Sequence, residues 1–398
     1  MSRRRWSLAL LLLAASCPKS TPHVRCTNDD QCSLPGRPAV CIDHVCAVAS
    51  SSCPSGYRID YRSEGSADCV PAAPDMAVGS GDDLATSTPS DMAVPPGTPL
   101  TWSPVSNPAA DHGTTLRSIS GLGPNEAWAV GDSSTVLYWL AGQWLARTAI
   151  QGPFPPALDS FTTVVAGPTS AECFIFDGHP RFQHVQSLMG ASWTTLQPRS
   201  QQTTIDGATI NSSEVWAVGT SDGIIHTVAG MSPTLVTGVD AVTPPAFKAV
   251  WSVGNDTWVV GLGGVIVHVT AAAPGGPWAG TQIATTSTAD LFAVWAGAGD
   301  VWAAGAGGAV VHLVAGGGGW ASAPSSSGAA VDLHGIWGSA GDDVWAVGDG
   351  GALLHWTGAA AGWQSAASGT SARLNAVWGS GPRDVWAVGD GGIILHGQ

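Results

Sequence analysis

Seven carboxylates in this chain each stand two residues before an aromatic side chain, and a second ring follows that aromatic ten residues later. The sets are Glu126, Trp128, Tyr138; Glu172, Phe174, His184; Glu214, Trp216, His226; Asp256, Trp258, His268; Asp300, Trp302, His312; Asp343, Trp345, His355; and Asp384, Trp386, His396. A carboxylate within reach of an imidazole suits general acid–base chemistry, and clusters of the two suit metal ligation. Either task needs one asymmetric constellation. Here the central aromatics recur at intervals of 46, 42, 42, 44, 43 and 41 residues, so seven copies are spread along a repeat. The sets are therefore expected to be structural, with no catalytic residue, metal or cofactor among them.

The elements that must position these groups are short strands. Leu333 to Trp337 and Leu374 to Trp378 read as first strands, closed by turns at Gly338 to Gly341 and Gly379 to Pro382. Val344 to Val347 and Val385 to Val388 read as second strands. Gly348-Asp349-Gly350-Gly351 and Gly389-Asp390-Gly391-Gly392 then supply residues that accept positive φ, as a tight hairpin requires. Ala352 to Trp356 and Ile393 to His396 are third strands. A fourth begins at Trp144, Trp193, Trp278, Trp320 and Trp363, with the region near Met231 as its counterpart in the third unit. Two pairing registers are open. In one the acid faces the histidine directly, and in the other the histidine faces the Trp and lies diagonal to the acid; both keep all three groups on one sheet face.

Four short antiparallel strands per unit, seven units and no helical periodicity predict an all-β fold, a seven-bladed β-propeller of four-stranded blades over residues 99–398. The seventh unit lacks a fourth strand, while Leu100-Thr101-Trp102-Ser103 precedes the first unit and reads as a stray one. Trp102 is thus expected to complete the blade that Trp386 begins, closing the ring and removing a sheet edge. A linear solenoid is the competing architecture and needs no such complementary ends.

The composition, with 52 Gly, 19 Trp and 11 % charged residues, suits tight turns and strands. From residue 101 onward there are 19 acidic and 7 basic residues, which disfavours nucleic-acid binding. Residues 1–16 have the form of an export signal, with Arg3, Arg4 and Arg5 before the apolar run Trp6 to Leu13. Residues 17–70 hold Cys26, Cys32, Cys41, Cys46, Cys53 and Cys69, an even-numbered cluster in a segment poor in core-forming residues. That pattern predicts a small disulfide-rich module whose 15 possible pairings stay open, and the gaps lack the close pairs of a zinc site. Cys173, inside a repeat, is expected to be a buried free thiol. Residues 71–98, rich in Pro, Ser, Asp and Gly, form a disordered linker in which Pro74 to Val78 recurs as Ser90 to Val94.

Ala14-Ala15-Ser16-Cys17 resembles the lipobox of bacterial lipoproteins, with the leucine one place early at Leu13. The resemblance implies acylation of Cys17 and, with Pro18 following, an outer-membrane or cell-surface location. Plain secretion or a periplasmic location, with Cys17 an ordinary cysteine, is the alternative. The units Asp-Val-Trp-Ala-Val-Gly-Asp-Gly-Gly followed by Ala-Leu-Leu-His-Trp or Ile-Ile-Leu-His resemble the BNR-like, Asp-box-related propeller repeats of bacterial surface lipoproteins. The likeness is strong in units six and seven and faint in unit two, where Phe174 and Asp177 replace Trp and Gly. Sialidases share that propeller class. Their likeness would imply three arginines, a tyrosine nucleophile and an acid/base Asp. The repeat domain offers Arg117, Arg147, Arg181, Arg199, Arg373 and Arg383 without an Arg-Ile-Pro motif, and its single tyrosine, Tyr138, takes the histidine position.

No Gly-rich phosphate loop, His-x-x-x-His pair or calcium loop is present in the sequence. The expected function is a monomeric, non-catalytic, envelope-anchored interaction or scaffold protein that binds a protein or glycan through a propeller face and meets the membrane through its lipid anchor alone. The alternatives are a subunit of a surface assembly, such as an adhesin-like type IV pilus tip protein, and a degenerate sialidase- or glycosidase-like hydrolase. Loops that break the repeat are the candidate binding segments: Gln151 to Ser160, Asp177 to Arg181, Ser232 to Ala246 and Ala271 to Thr286. The hairpin acids Asp132, Asp177, Asp349 and Asp390 read first as turn formers.

Overall fold

The computed structural model describes residues 99–398 apart from 141, 147–159, 168–172, 178–181, 186–192, 197–204, 212–213, 220–222, 229–233, 237–246, 272–277, 298, 317–318 and 324. Of the first 98 residues it describes four short strands, without side chains; side chains of 182–185, 193–196, 205–211, 214, 227–228 and 234–235 are likewise not described. The chain divides into two compact units, Met1–Val94 and Pro95–Gln398. In the first, Ser33–Leu34, Arg37–Ile42, Val45–Ala49 and Tyr57–Ile59 form an antiparallel sheet in that order, and its register sets Cys41 opposite Cys46. Cys17, Cys26, Cys32, Cys53 and Cys69, the expected export signal and the expected linker at 71–98 lie outside the described residues.

The second unit is all-β and consists of seven four-stranded antiparallel sheets, numbered here as blades 1 to 7 in chain order. In blade 6 the strands are Leu333–Ala340, Asp343–Gly348, Leu353–Trp356 and Trp363–Ser365. First strands run past the expected Gly338 and Gly379 turns because each carries a bulge there, in blade 7 between Gly379 and Gly381, that lets pairing continue for two residues. In blade 3 the fourth strand is Thr234–Leu235, three residues beyond Met231. Blade 7 is built from Leu374–Gly381, Asp384–Gly389 and Ile394–Gly397, and its fourth strand is Trp102–Pro104 from the start of the domain. That strand pairs Trp102 with Gly397 and Ser103 with His396, and Thr101 and Gln398 exchange backbone hydrogen bonds beyond it.

First strands pack against first strands of the neighbouring blade all the way round, the seventh against the first, so the first strands form the inner ring of a closed propeller. The core lies between blades. Trp216, Trp258, Trp302, Trp345 and Trp386 on the second strands are all fully buried. Each removes about 150–250 Å² from water, roughly 4–6 kcal/mol at about 25 cal/mol per Å².

A second indole seals each of these, and it comes from the following blade. Trp278 of blade 4 lies edge-on to Trp216 of blade 3 at 4.8 Å, and Trp320 of blade 5 to Trp258 of blade 4 at 4.6 Å. Trp363, Trp102 and Trp144 repeat the contact on Trp302, Trp345 and Trp386. The strand of Trp102 therefore completes blade 7, but its ring covers Trp345 of blade 6. The joint between blades 7 and 1 is sealed instead by Trp139 and Trp144 on Trp386.

Candidate functional site

The acid, aromatic and ring sets take the second of the two open registers. Trp216 faces His226, Trp258 faces His268, Trp302 faces His312, Trp345 faces His355 and Trp386 faces His396; Phe174 is paired with His184 and Trp128 with Tyr138. The acid lies on the diagonal and accepts from histidine Nε2, at 2.7 Å for Asp256 and 2.6 Å for Asp300, Asp343 and Asp384. In the last three blades the imidazole stacks on the indole at 3.7–3.8 Å. Blade 1 replaces this with Tyr138, fully buried and tilted on Trp128 at 4.5 Å. Glu172 and the side chains of Glu214 and His184 lie outside the described residues. The described sets thus lie in separate blades and are not brought together in one site.

The side chains that differ from blade to blade are brought together elsewhere. In blades 1, 3, 4, 5, 6 and 7 the first strand pairs its opening apolar residue with the end of the second strand, skips one residue and resumes. The flanking positions repeat: Leu116, Ile205, Phe247, Leu291, Leu333 and Leu374 on one side, a small residue on the other. The skipped residue does not. It is Arg117, Asp206, Lys248, Phe292, His334 and Asn375 in turn, with Thr162 at the same place in blade 2. A bulge interrupts the ladder at its extra residue, here on the inner ring and at the end of the blades where second and third strands turn.

The glycine that ends the second strand makes the bulge possible. At Gly348 a Cβ would fall 2.0 Å from the carbonyl oxygen of Asp332, which enters the first strand of the same blade, and Gly131, Gly305 and Gly389 meet the same obstacle. Blade 2 has Asp177 at this place, and its described pairs show no register shift. Beyond it, Gly350 and Gly351 turn the chain with φ of 65° and 74°. Blade 1 makes the same turn with Ser133 and Ser134 at 54° and 56°.

The hairpin acids meet the bulge residues. Arg117 Nε donates to Asp132 at 2.6 Å with Nη2 on the second oxygen. Burial pushes Asp132 up, but hydrogen bonds from Arg117 and Ser160 and the guanidinium charge hold its carboxyl below the usual range. His334 Nε2 lies 2.9 Å from Asp349 and stacks on Phe292 at 5.8 Å, and Arg373 Nε donates to the same carboxylate at 2.7 Å. The hydrogen bond from His334 outweighs burial, and with the charges of His334 and Arg373 it lowers Asp349. Asn375 bridges Asp390 and the carbonyl of Leu116 in the adjoining blade. These acids are therefore more than turn formers: they hold the bulge side chains in place.

Of the four described lysines and arginines of the propeller, Arg117, Lys248 and Arg373 sit at this end and Arg383 does not. Of the arginines that a sialidase likeness would use, Arg117 and Arg373 are each committed to a hairpin acid, and the only tyrosine of the repeats is buried. Among the described residues no group of His, Cys, Asp and Glu is placed to hold a metal ion. Nor is any helix there long and apolar enough to cross a membrane. Of the expected binding loops, 151–159, 178–181, 232–233, 237–246 and 272–277 lie outside the described residues. Sequence reasoning missed the bulge ring; its one trace was a variable position between repeated ones.

With this geometry the chain falls in the class of β-propeller proteins. No family model matches it, and neither does any curated protein. Among solved structures it is similar to YCF48 bound to a D1 peptide, with a TM-score of 0.58, 16 % identity and 74 % of this chain covered against 96 % of that one. It is also similar to the WD40 β-propeller domain of Doa1, at TM-score 0.60 and 12 % identity over 76 % and 97 % of the two chains. A streptogramin B lyase matches at TM-score 0.60 and 13 % identity over 75 % and 98 %. At such identities the likeness is one of fold.

Proposed function

We propose that this protein is a non-catalytic interaction module that binds a segment of a partner protein on the inner ring of its propeller, at the end where second and third strands turn. The observation that carries the reading is the bulge ring. In a scaffold that repeats seven times, the residue skipped by the bulge differs in each of the six blades that carry one, and a single partner requires such asymmetry. The mixture of Arg117, Lys248, Phe292, His334 and Asn375 offers cations, one aromatic and amide hydrogen bonds, the composition of a polar protein interface. Two similar propellers fit the reading: one is seen with a bound peptide and one is a WD40 domain. The third is a lyase, so enzymatic activity is the alternative to eliminate.

In this reading the BNR-like repeats supply the scaffold and acylated Cys17 holds it at the outer membrane or cell surface. A photo-crosslinking residue placed at Phe292, compared with one at Gln364 on an outer strand, tests the binding face in whole cells. Crosslinking of one partner from position 292, lost on adding Arg117→Ala and His334→Ala, is the expected result. Equal crosslinking from both positions would remove the ring as the site. Turnover of any member of a glycan panel would replace the reading with the hydrolase. Labelling of the wild type but not of Cys17→Ala by a radioactive fatty acid checks the anchor separately.

A further inference from the structure

The second-strand acids are unequally covered. Asp300, Asp343 and Asp384 expose 27, 21 and 20 % of their side chains, whereas Asp256 exposes 47 %. The cause is the length of the hairpin in the next blade. From first-strand Trp to second-strand Trp the chain takes eight steps in blades 6 and 7, Trp337 to Trp345 and Trp378 to Trp386, but seven in blade 5, Trp295 to Trp302. The additional residue in blade 6 carries Gly341 across the interface onto Asp300, so that a Cβ at 341 would fall 2.1 Å from the carboxylate. Blade 5 lacks it and turns directly between Gly297 and Asp300, leaving nothing within 4 Å of where a Cβ of Gly299 would stand. What remains is a cleft of about 280 Å³ between blades 4 and 5, walled by Val253, Asp256, Trp258, Gly299, Ala315 and Trp320.

The chemistry of this cleft is narrow. Its walls are aliphatic and indole, with Trp258 and Trp320 edge-on at 4.6 Å, and one carboxylate stands among them. One oxygen of Asp256 accepts from His268 at 2.7 Å. Among the described residues the other has no donor, although its counterparts in Asp343 and Asp384 take the hydroxyls of Ser339 and Ser380. No lysine or arginine lines the cleft, and the chain carries a net charge of −14. The volume is just under the ~300–1,000 Å³ of sites that enclose a drug-sized ligand.

We propose that the cleft receives the side chain of a lysine or arginine presented by a partner protein. The cation meets the second oxygen of Asp256, and the methylene stem lies along Trp320 and Val253. An amphipathic cation is the side chain that satisfies both an isolated carboxylate and apolar, aromatic walls. The cleft is bounded by the hairpins between first and second strands, at the opposite end of the blades from the bulge ring. It stands apart from the function proposed for that ring.

Nα-acetyl-lysine methylamide titrated into the intact protein, followed through the indole N–H resonances, tests the proposal. A ligand of about a dozen heavy atoms is expected to bind in the millimolar range, with the uncharged Nα-acetyl-norleucine methylamide at least about tenfold weaker. Asp256→Asn should bring the lysine probe down to the norleucine level. Ala315→Phe, which fills the cleft and keeps the carboxylate, should abolish binding, while Asp300→Asn should leave it unchanged. Equal binding of both probes, full binding by Asp256→Asn, or full binding by Ala315→Phe would each overturn the proposal.

Discussion

Removing the carboxylate of Asp384 tests whether the acid, Trp and His sets are scaffold. Three donors converge on it: His396 Nε2 at 2.6 Å, Trp386 Nε1 at 3.0 Å and the hydroxyl of Ser380. Ser380 is exposed and regains water, but Trp386 is 1 % exposed and its N–H is left without a partner. A hydrogen bond to a charged group contributes about 1.5–3 kcal/mol, and an orphaned buried donor adds about 1–3. Asp384→Ala is therefore expected to cost roughly 2–4 kcal/mol. Asp256 offers the contrast: one donor and 47 % exposure, so Asp256→Ala should cost about 1 kcal/mol or less. At about 2–4 °C per kcal/mol these become losses of roughly 4–16 °C and no more than about 4 °C in thermal melting. The effect has a pH signature. Burial raises the pKa of Asp384, but the hydrogen bonds from His396 and Ser380, the imidazolium charge and the Trp386 N–H outweigh it and hold the carboxyl below its ordinary 3.8. A depressed folded-state pKa stabilises fully above the unfolded value and loses its contribution as pH falls through the folded one. The gap between wild type and Asp384→Ala should accordingly narrow below pH 3.8. Melting of Asp384→Ala within about 1 °C of wild type, or an equal loss from Asp256→Ala, would refute this reasoning.

Trp102→Ala removes the half-buried indole that seals Trp345 at 5.1 Å, with an expected loss of roughly 2–3 kcal/mol; unchanged resistance to limited proteolysis would count against closure of the ring by this strand. Gly348→Ala places a methyl 2.0 Å from a carbonyl oxygen and should cost at least about 3 kcal/mol or prevent folding, and a soluble variant with unchanged melting would contradict the bulge geometry. Cys173 is fully buried and burial raises its thiol well above the usual range. It should resist a thiol reagent in the native protein and react at once in denaturant, and prompt native reaction would show the blade to be open. Phe247→Ala, at a repeated and buried position, is expected to cost about 3–5 kcal/mol, whereas Lys248→Ala one residue later should stay within about 0.5 kcal/mol in equilibrium unfolding.

The period of the fold was legible because one aromatic and one further ring side chain per blade hold fixed spacings, and glycine pairs mark the hairpins of blades 4 to 7. Strand ends followed to within a few residues. The acid and histidine register was not legible, since a shift of two residues keeps the same side chains on the same face. Direction of packing was hidden for a different reason: Trp320 pairs within blade 5, yet its ring serves Trp258 of blade 4, and sequence distance does not say which face of a sheet meets which neighbour. The bulge ring left a fainter trace. A position that carries Arg117, Lys248, Phe292, His334 and Asn375 has no type to recognise, and only its regular flanks give it away.

The cleft at Asp256 and the bulge ring share one physical origin. In a ring of equivalent blades every core position is constrained from both sides, so asymmetry there creates cavities or clashes. Two kinds of place escape that constraint. The extra residue of a bulge has no cross-strand partner, and its side chain is free to differ without disturbing a pair. A hairpin tip is free to lose one residue and alter only the neighbour it would have covered, because each repeat touches only those beside it. The first escape gives six unlike residues at one end of the inner strands. The second uncovers Asp256 between blades 4 and 5 at the other end, while leaving intact the same Asp, Trp and His contacts that are buried elsewhere in the ring.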